Sequence, residues 1–209
     1  KGLNCAENII NALKNKDGYL FSKSVKQLPE TEKTWVLLQD GYKKVIDSDG
    51  RLLYQIKECI DEFPYTYTDE NGKKHTVRVK EKRVAIYNPK LAEKKKYEIN
   101  KMVEKAMILK ACQAKKSEFG ECSKYVTFSC ADQKGNAIDG KLKVAINRDA
   151  IDKDLKLAGY NLLVTSETKM KADDIYNTYH NLWRIEESFK DEPVANGLNQ
   201  RDIERVSYN

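Results

Sequence analysis

Two short polar segments that favour tight turns constrain this chain more than any other feature. Asp47-Ser48-Asp49-Gly50 and Asp69-Glu70-Asn71-Gly72 each combine acidic or amide side chains with a final glycine. Such segments between apolar runs predict β-hairpins. The runs around them predict strands at Thr34–Leu38, Val45-Ile46, Leu52–Ile56, Tyr65–Thr68 and Thr76–Tyr87. This stretch is therefore expected to form an antiparallel β meander with one exposed face.

Helical and strand patterns flank the meander on both sides. Asn88-Pro89 predicts the start of a long helix, because asparagine caps helices and proline suits their first position. Gly159 predicts the end of another helix, and the apolar run after it predicts a buried strand. Further helices are predicted at Asn4–Leu13, Arg148–Ala158 and Lys171–Lys190, and further strands at Tyr19–Val25, Tyr125–Ser129, Lys141–Ile146 and Tyr160–Ser166. The mixture predicts an α/β fold.

The positive charge of the chain is concentrated in the long helix. Residues 89–116 contain nine lysines and three glutamates, so their excess of six equals the net charge of +6 of the whole chain. A cluster of this kind suits the phosphate backbone of nucleic acid. A solvated helix face explains the same lysines equally well, so both interpretations stand.

Cysteine and hydropathy patterns exclude several classes of protein. The five cysteines form no Cys-x-x-Cys pair, and only two histidines accompany them, which argues against a structural zinc site. No apolar run is long enough to cross a membrane, and no signal peptide opens the chain. Reduced cysteines in a cytoplasmic protein without membrane contact are therefore expected.

One glutamate interrupts the apolar stripe of the last predicted helix. Ile175, Tyr179, Leu182, Glu186 and Phe189 follow one another at spacings of four and three, which predicts a shared helix face. A carboxylate on such a face needs a partner, because a buried unpaired charge is costly. The partner is either a metal ion or a basic side chain, and the spacing alone leaves both open.

Three segments resemble the catalytic domain of bacterial insertion-sequence transposases of the DDE type. The helix around Glu186 resembles that family's Tyr-x2-Arg-x3-Glu-x6-Lys signature, with Tyr179 at the tyrosine and Glu186 at the catalytic glutamate. Residues 1–24 resemble the passage that follows the family's second catalytic aspartate, and residues 79–87 with the basic helix resemble its insertion. The similarity covers roughly residues 1–193. Leu182 stands where the signature has arginine, and Pro193 stands where it has lysine.

The resemblance implies a partial ribonuclease-H-like domain interrupted by a β-rich insertion with a long basic helix. Residues 1–32 and 146–209 would form the two ribonuclease-H-like parts, and residues 33–145 the insertion with its basic helix at 89–116. Both catalytic aspartates would lie outside this chain, the second of them directly before Lys1. The chain is accordingly expected to be a fragment that is inactive alone.

The resemblance also implies a mechanism and partners. Two Mg²⁺ or Mn²⁺ ions, bound only in the complete protein, would promote DNA strand cleavage and strand transfer, with Glu186 as one metal ligand. DNA, as transposon ends and target, is the expected partner, and the complete protein is expected to be a homodimer. The candidate DNA contacts are Tyr179, Lys94, Lys95, Lys96, Lys101 and Lys190. The alternatives are a non-catalytic DNA-binding or oligomerisation module and an inactive transposon remnant.

Overall fold

The computed structural model describes residues 6–69, 71–129 and 143–191, with side chains up to residue 182. The chain divides into two compact units, residues 1–168 and 169–209. The helices are α1 Ala6–Asn15, α2 Glu30–Leu37, α3 Pro89–Ala111, α4 Arg148–Leu157 and α5 Ala172–Asp191. The strands are β1 Leu20–Lys23, β2 Lys43–Ile46, β3 Leu52–Thr68, β4 Lys74–Tyr87, β5 Val126–Ser129, β6 Lys143–Ile146 and β7 Tyr160–Thr165. Short 3₁₀ segments cover Val25–Gln27 and Lys116–Tyr125.

A five-stranded sheet in the order β1-β7-β4-β3-β2 organises the first unit, and every neighbouring pair in it is antiparallel. Strand β7 lies between β1 and β4, and its Leu162, Leu163 and Val164 are fully buried. Consecutive strand residues point to opposite faces, so this burial means that both faces of β7 are covered. The apolar run after Gly159 is thus confirmed as a buried strand. Strands β5 and β6 form a separate two-stranded sheet.

Strands β3 and β4 extend beyond their neighbours as a two-stranded ribbon. Pairing of β3 with β2 stops at Ile56, and pairing of β4 with β7 begins at Lys82. Residues 61–68 and 74–81 therefore pair only with each other, and we call these two segments the arm. The core cluster of Ile9, Tyr19, Tyr65 and Val79 packs one side of the arm against α1. This packing supplies the stability that an isolated hairpin lacks.

One predicted strand is a helix instead. Thr34–Leu38 was expected to be extended, but helix α2 covers Glu30–Leu37. Pro29 precedes this helix, and Glu30 and Glu32 lie in its first turn, where carboxylates interact favourably with the helix dipole. The Lys57 ammonium, from distant β3, donates to the carbonyls of Trp35 and Leu38 at the other end. This long-range cap could not be read from local sequence.

The mixed α/β class is confirmed, and both predicted hairpin turns join antiparallel strands. Strands β1 and β7, which the resemblance assigns to ribonuclease-H-like parts, share one sheet with β2–β4 of the expected insertion. The ribonuclease-H-like assignment and the three-part division stay predictions. Among the helices in the described part of the chain, none has the length and apolar character needed to cross a membrane.

Candidate nucleic-acid interface

Helix α3 is anchored along one side. The Asn88 side chain accepts a hydrogen bond from the Leu91 amide at 3.1 Å, which confirms the predicted cap. Ala92, Ile99 and Ala106 recur at intervals of seven and are buried. Gly159 has a φ of +88°, and a Cβ there would lie 2.5 Å from the Ala92 Cβ. The first turns of α3 are therefore held tightly against the start of β7.

The opposite side of α3 is exposed and basic. We define the outer face of α3 as the side chains that lie about half a turn from the buried alanines. Tyr97 and Ile108 on this face are 61% and 64% exposed, values that leave most of each side chain available to a partner. The outer face consists of Lys90, Lys94, Tyr97, Lys101, Glu104, Lys105 and Ile108, all exposed.

The four lysines predicted as DNA contacts on this helix differ in their placement. Lys94 and Lys101 lie on the outer face, and the Lys101 ammonium lies 4.9 Å from the centre of the Tyr97 ring. A hydrogen bond with Tyr97 is the main reason that the pKa of Lys101 is raised, so this lysine keeps its charge. Lys95 lies toward the flank and pairs with Glu98 at 3.1 Å. Lys96 is exposed on the other flank.

Three basic or aromatic residues of the outer face were not singled out from the sequence. Lys90, Tyr97 and Lys105 share the 3–4 spacing of Lys94 and Lys101. Applying the helical period to the lysines as well as to the apolar residues would have found them. The run Lys94-Lys95-Lys96 drew attention instead, although consecutive residues point in different directions around a helix.

Helix α5 carries the predicted catalytic glutamate. Glu186 and Lys190 lie within α5, as the spacing predicted, but their side chains lie outside those that the structure describes. Tyr179 is half-buried, with its ring 6.4 Å from that of His180. His180 is half-buried too, its ring lies 4.3 Å from that of Tyr176, and burial lowers its pKa.

The apolar stripe predicted for α5 is wrong at Leu182. Ile175 is buried, whereas Leu182 is 50% exposed. Among the side chains of α5 that the structure describes, the more buried ones are Ala172, Ile175, Tyr176, Tyr179 and His180. The covered face of α5 is therefore rotated relative to the predicted stripe. It includes the aromatic rings of Tyr176 and His180, and it leaves Leu182 exposed.

The predicted metal site involves Glu186, whose side chain lies outside those that the structure describes. Within the described residues, no group of three or more histidine, cysteine, aspartate or glutamate side chains is arranged to hold a metal ion. Cys59, Cys112 and Cys122 are free thiols. The assignment of Glu186 as a Mg²⁺ or Mn²⁺ ligand therefore stays a prediction from the resemblance.

A second polar cluster lies at the base of the arm. The Glu81 carboxylate, fully buried, accepts hydrogen bonds from the Tyr19 hydroxyl at 2.6 Å, the Tyr65 hydroxyl at 2.8 Å and Arg83 Nη2 at 3.2 Å. Arg83 also forms an ion pair with Glu32, and its guanidinium carbon lies 3.2 Å from the centre of the Phe63 ring. We call these six residues the buried network.

Burial and the nearby carboxylate explain the titration behaviour of the buried network. Burial is the main reason that the pKa values of Tyr19 and Tyr65 are raised, and Glu81 adds to both shifts. Lys23 donates to the Tyr65 hydroxyl at 2.9 Å, and burial with the nearby Arg83 charge lowers its pKa. Lys23, Glu32 and Arg83 line a cleft of about 310 Å³.

The buried network has a structural role. Perturbed pKa values in a cleft often mark functional sites, but ion-pair networks produce them as well. Here the Arg83 guanidinium contacts two carboxylates, and the Glu81 carboxylate has three donors, so the charged groups of the cluster have their partners inside it. The alternation of Glu81 and Arg83 on one face of β4 was the available sequence signal.

Comparison with protein families, with curated proteins and with solved structures yields no match to this chain.

Proposed function

We propose that this chain is the C-terminal catalytic fragment of a DNA transposase, and that α3 contacts the DNA backbone. The outer face of α3 is the observation that carries the DNA-binding part. It presents four lysines, Tyr97 and Ile108 to solvent, with Glu104 as the acidic member of the face. Exposed lysines at helical spacing can neutralise successive phosphates without reading base sequence.

The order of elements supports the transposase part of the proposal. Strands β1 and β7 are adjacent, with Leu20 opposite Thr165, although most of the chain separates them. The chain thus returns to the position beside its first strand after a long intervening segment, part of which, β2–β4, extends the same sheet on the other side of β7. Helix α5, with Glu186, begins at Ala172 shortly after β7 ends.

The proposed mechanism needs residues beyond this chain. Two divalent ions, Mg²⁺ or Mn²⁺, would activate water or a DNA 3′-hydroxyl and stabilise the leaving oxygen. Glu186 would supply one hard oxygen ligand, and two aspartates of the complete protein would supply others. One carboxylate is insufficient for two ions, so the chain alone binds DNA but does not cleave it. The complete protein would act in the cytoplasm as a homodimer on transposon ends and target DNA.

Neutralising the outer face tests the binding part. We expect Lys90, Lys94, Lys101 and Lys105, all changed to Gln, to weaken binding to duplex DNA at least about tenfold at low salt. The slope of log K against log salt should fall by about 0.9 for each phosphate contact removed. Fluorescence anisotropy with a labelled duplex measures both quantities.

A charge-matched variant provides the control for this experiment. Changing the exposed Lys43, Lys44, Lys153 and Lys156 to Gln lowers the net charge from +6 to +2, as the outer-face variant does. If the two variants lose the same affinity, binding follows net charge alone and the assignment of α3 is wrong.

Glu186→Gln in the complete polypeptide tests the catalytic part. We expect loss of Mg²⁺-dependent strand cleavage with unchanged DNA affinity, because a neutral amide is a poor ligand for a hard cation while α3 is untouched. Glu187→Gln, the adjacent carboxylate, is the matched control. Retained cleavage by the Glu186 variant would reject the catalytic assignment.

A non-catalytic DNA-binding module is the second candidate function. The outer face of α3 favours it, because those side chains need neither a metal ion nor Glu186 to contact DNA. Such a module, or an inactive remnant of a transposon, would keep salt-dependent binding. The complete polypeptide would then show no cleavage whether or not Glu186 is changed.

A further inference from the structure

The arm presents a continuous polar surface on the side away from α1. Thr66 and Thr76 lie opposite each other, with their hydroxyls 2.9 Å apart, and Glu62 lies opposite Lys80. Arg78 Nε lies 3.6 Å from Glu62 on the same side. We define the outer face of the arm as the exposed residues of this side: Glu62, Pro64, Thr66, Thr68, Lys74, Thr76, Arg78 and Lys80.

The inner side holds this surface in a fixed orientation. Tyr65 and Val79 are buried against Ile9 of α1. Nearer the tip, the rings of Tyr67 and His75 are stacked at 5.5 Å. These contacts reach almost to the end of the hairpin, so the outer face of the arm does not depend on a ligand for its shape.

The turn at the tip is ordered by its own hydrogen bonds. Asp69 Oδ1 accepts from the amides of Asn71 and Lys73, and Asp69 Oδ2 lies 2.8 Å from His75 Nε2. An aspartate that closes its own turn in this way is a common device in hairpins. The basic residue Lys74 is thus positioned directly after a well-defined turn.

The charge on the outer face of the arm is arranged in a row. Lys74, Arg78 and Lys80 lie on the same side of β4, and Glu62 is the acidic member of the face. Lys74 and Lys80 are six positions apart, a distance of roughly 20 Å along a strand. Phosphates on one DNA strand recur about every 3.4 Å of helix axis, so a row of this length spans about six of them, enough for each of its three basic groups to contact one.

The composition of the face favours nucleic acid over a protein partner. It contains threonines, basic residues, one proline and one glutamate, and lacks aromatic side chains. The centres of protein interfaces are enriched in aromatic residues and depleted of lysine. Threonine hydroxyls and basic groups, by contrast, are common phosphate contacts. The major groove of duplex DNA is wide enough to admit a two-stranded ribbon.

We propose that the outer face of the arm is a second duplex-DNA contact, separate from the outer face of α3. This inference rests on the proposed DNA-binding function and adds a surface to it. The arm contacts phosphates on the side of Lys74, Arg78 and Lys80, with Thr66 and Thr76 between them. The occupant is double-stranded DNA of any sequence.

The test uses the whole chain and a duplex of about 30 base pairs, longer than the basic row of the arm. Lys74→Gln, Arg78→Gln and Lys80→Gln are combined in one variant. We expect about a tenfold or greater loss of affinity and a salt slope lower by about 0.9 for each contact removed. The control combines Lys43→Gln, Lys44→Gln and Lys153→Gln, which lowers the net charge from +6 to +3 in the same way.

The outcomes distinguish failure of this inference from failure of the proposed function. If the arm variant binds like the control while the α3 variant loses affinity, the arm is not a contact and the proposed function stands. If the unaltered chain does not bind duplex DNA at low salt, both fail. A preference of the chain for single strands, with the arm variant unaffected, would also reject the arm. Circular dichroism, compared with that of the unaltered chain, checks that the variant keeps its secondary structure.

Discussion

The buried network and the outer face of α3 use the same kinds of side chain for opposite purposes. In the network, Arg83 is almost fully buried and contacts two carboxylates and an aromatic ring. On α3, Lys94 and Lys101 are exposed, with Tyr97 beside Lys101. A buried charge must be compensated within the protein, whereas an exposed one is compensated by water and remains available to a ligand.

This contrast gives a physical basis for ranking charged residues as functional candidates. Glu81 and Arg83 have the more unusual environment, but their partners are all inside the molecule. The α3 lysines have ordinary surroundings, and their lack of burial is what makes them suited to binding. Stability should therefore depend on the network, and DNA affinity should depend on the helix.

Substitution of Arg83 should produce the largest change in the stability of the fold. Arg83→Met leaves the buried Glu81 and the partly buried Glu32 without their cation. We expect the free energy of unfolding to fall by about 3–5 kcal/mol, as for other broken buried ion pairs. Urea denaturation measures it. Lys80→Met, three positions away on the outer face of the arm, should change the free energy of unfolding by less than about 0.5 kcal/mol. Equal losses in the two variants would remove the contrast.

Alkaline pH should lower the stability of the fold through the buried tyrosines of the network. Because the pKa of Tyr19 is raised in the folded protein, unfolded chains release this proton first as pH rises above 10. Stability is therefore fully present below that pH and declines above it, by about 1.4 kcal/mol per pH unit for each such tyrosine. Tyr19→Phe should make the decline less steep in urea titrations above pH 10. An unchanged slope would contradict the shift.

The smallest change in stability is expected when the lysines on the outer face of α3 are replaced. The variant with Lys90, Lys94, Lys101 and Lys105 changed to Gln should have the same urea midpoint as the unaltered chain, because glutamine has a helix propensity close to that of lysine. DNA affinity alone should change. A substantial fall in the midpoint would mean that these lysines stabilise the fold, and the comparison with the buried network would weaken.

Local patterns predicted most elements but not the ones that depend on distant partners. The turns at Asp47–Gly50 and near Asp69, the Asn88 cap and the β7 run all follow from nearby residues. Helix α2 was missed because Lys57 caps it from another strand. The strands predicted at Leu52–Ile56 and Tyr65–Thr68 are parts of one long strand, β3, which includes Pro64. Proline is tolerated there because this part of β3 pairs with a neighbouring strand on only one side.

The positions of the turns, the start of α3 and the concentration of positive charge follow from the amino-acid sequence alone, because they depend on residues within a few positions of one another. Which charges are buried depends on the tertiary fold. Arg83 meets Glu32 only when α2 packs near the base of the arm, and Glu81 meets Tyr19 only when β1 and β4 join the same sheet. Whether a charge is solvated or compensated depends on what surrounds it in space, and spacing along the chain does not carry that information.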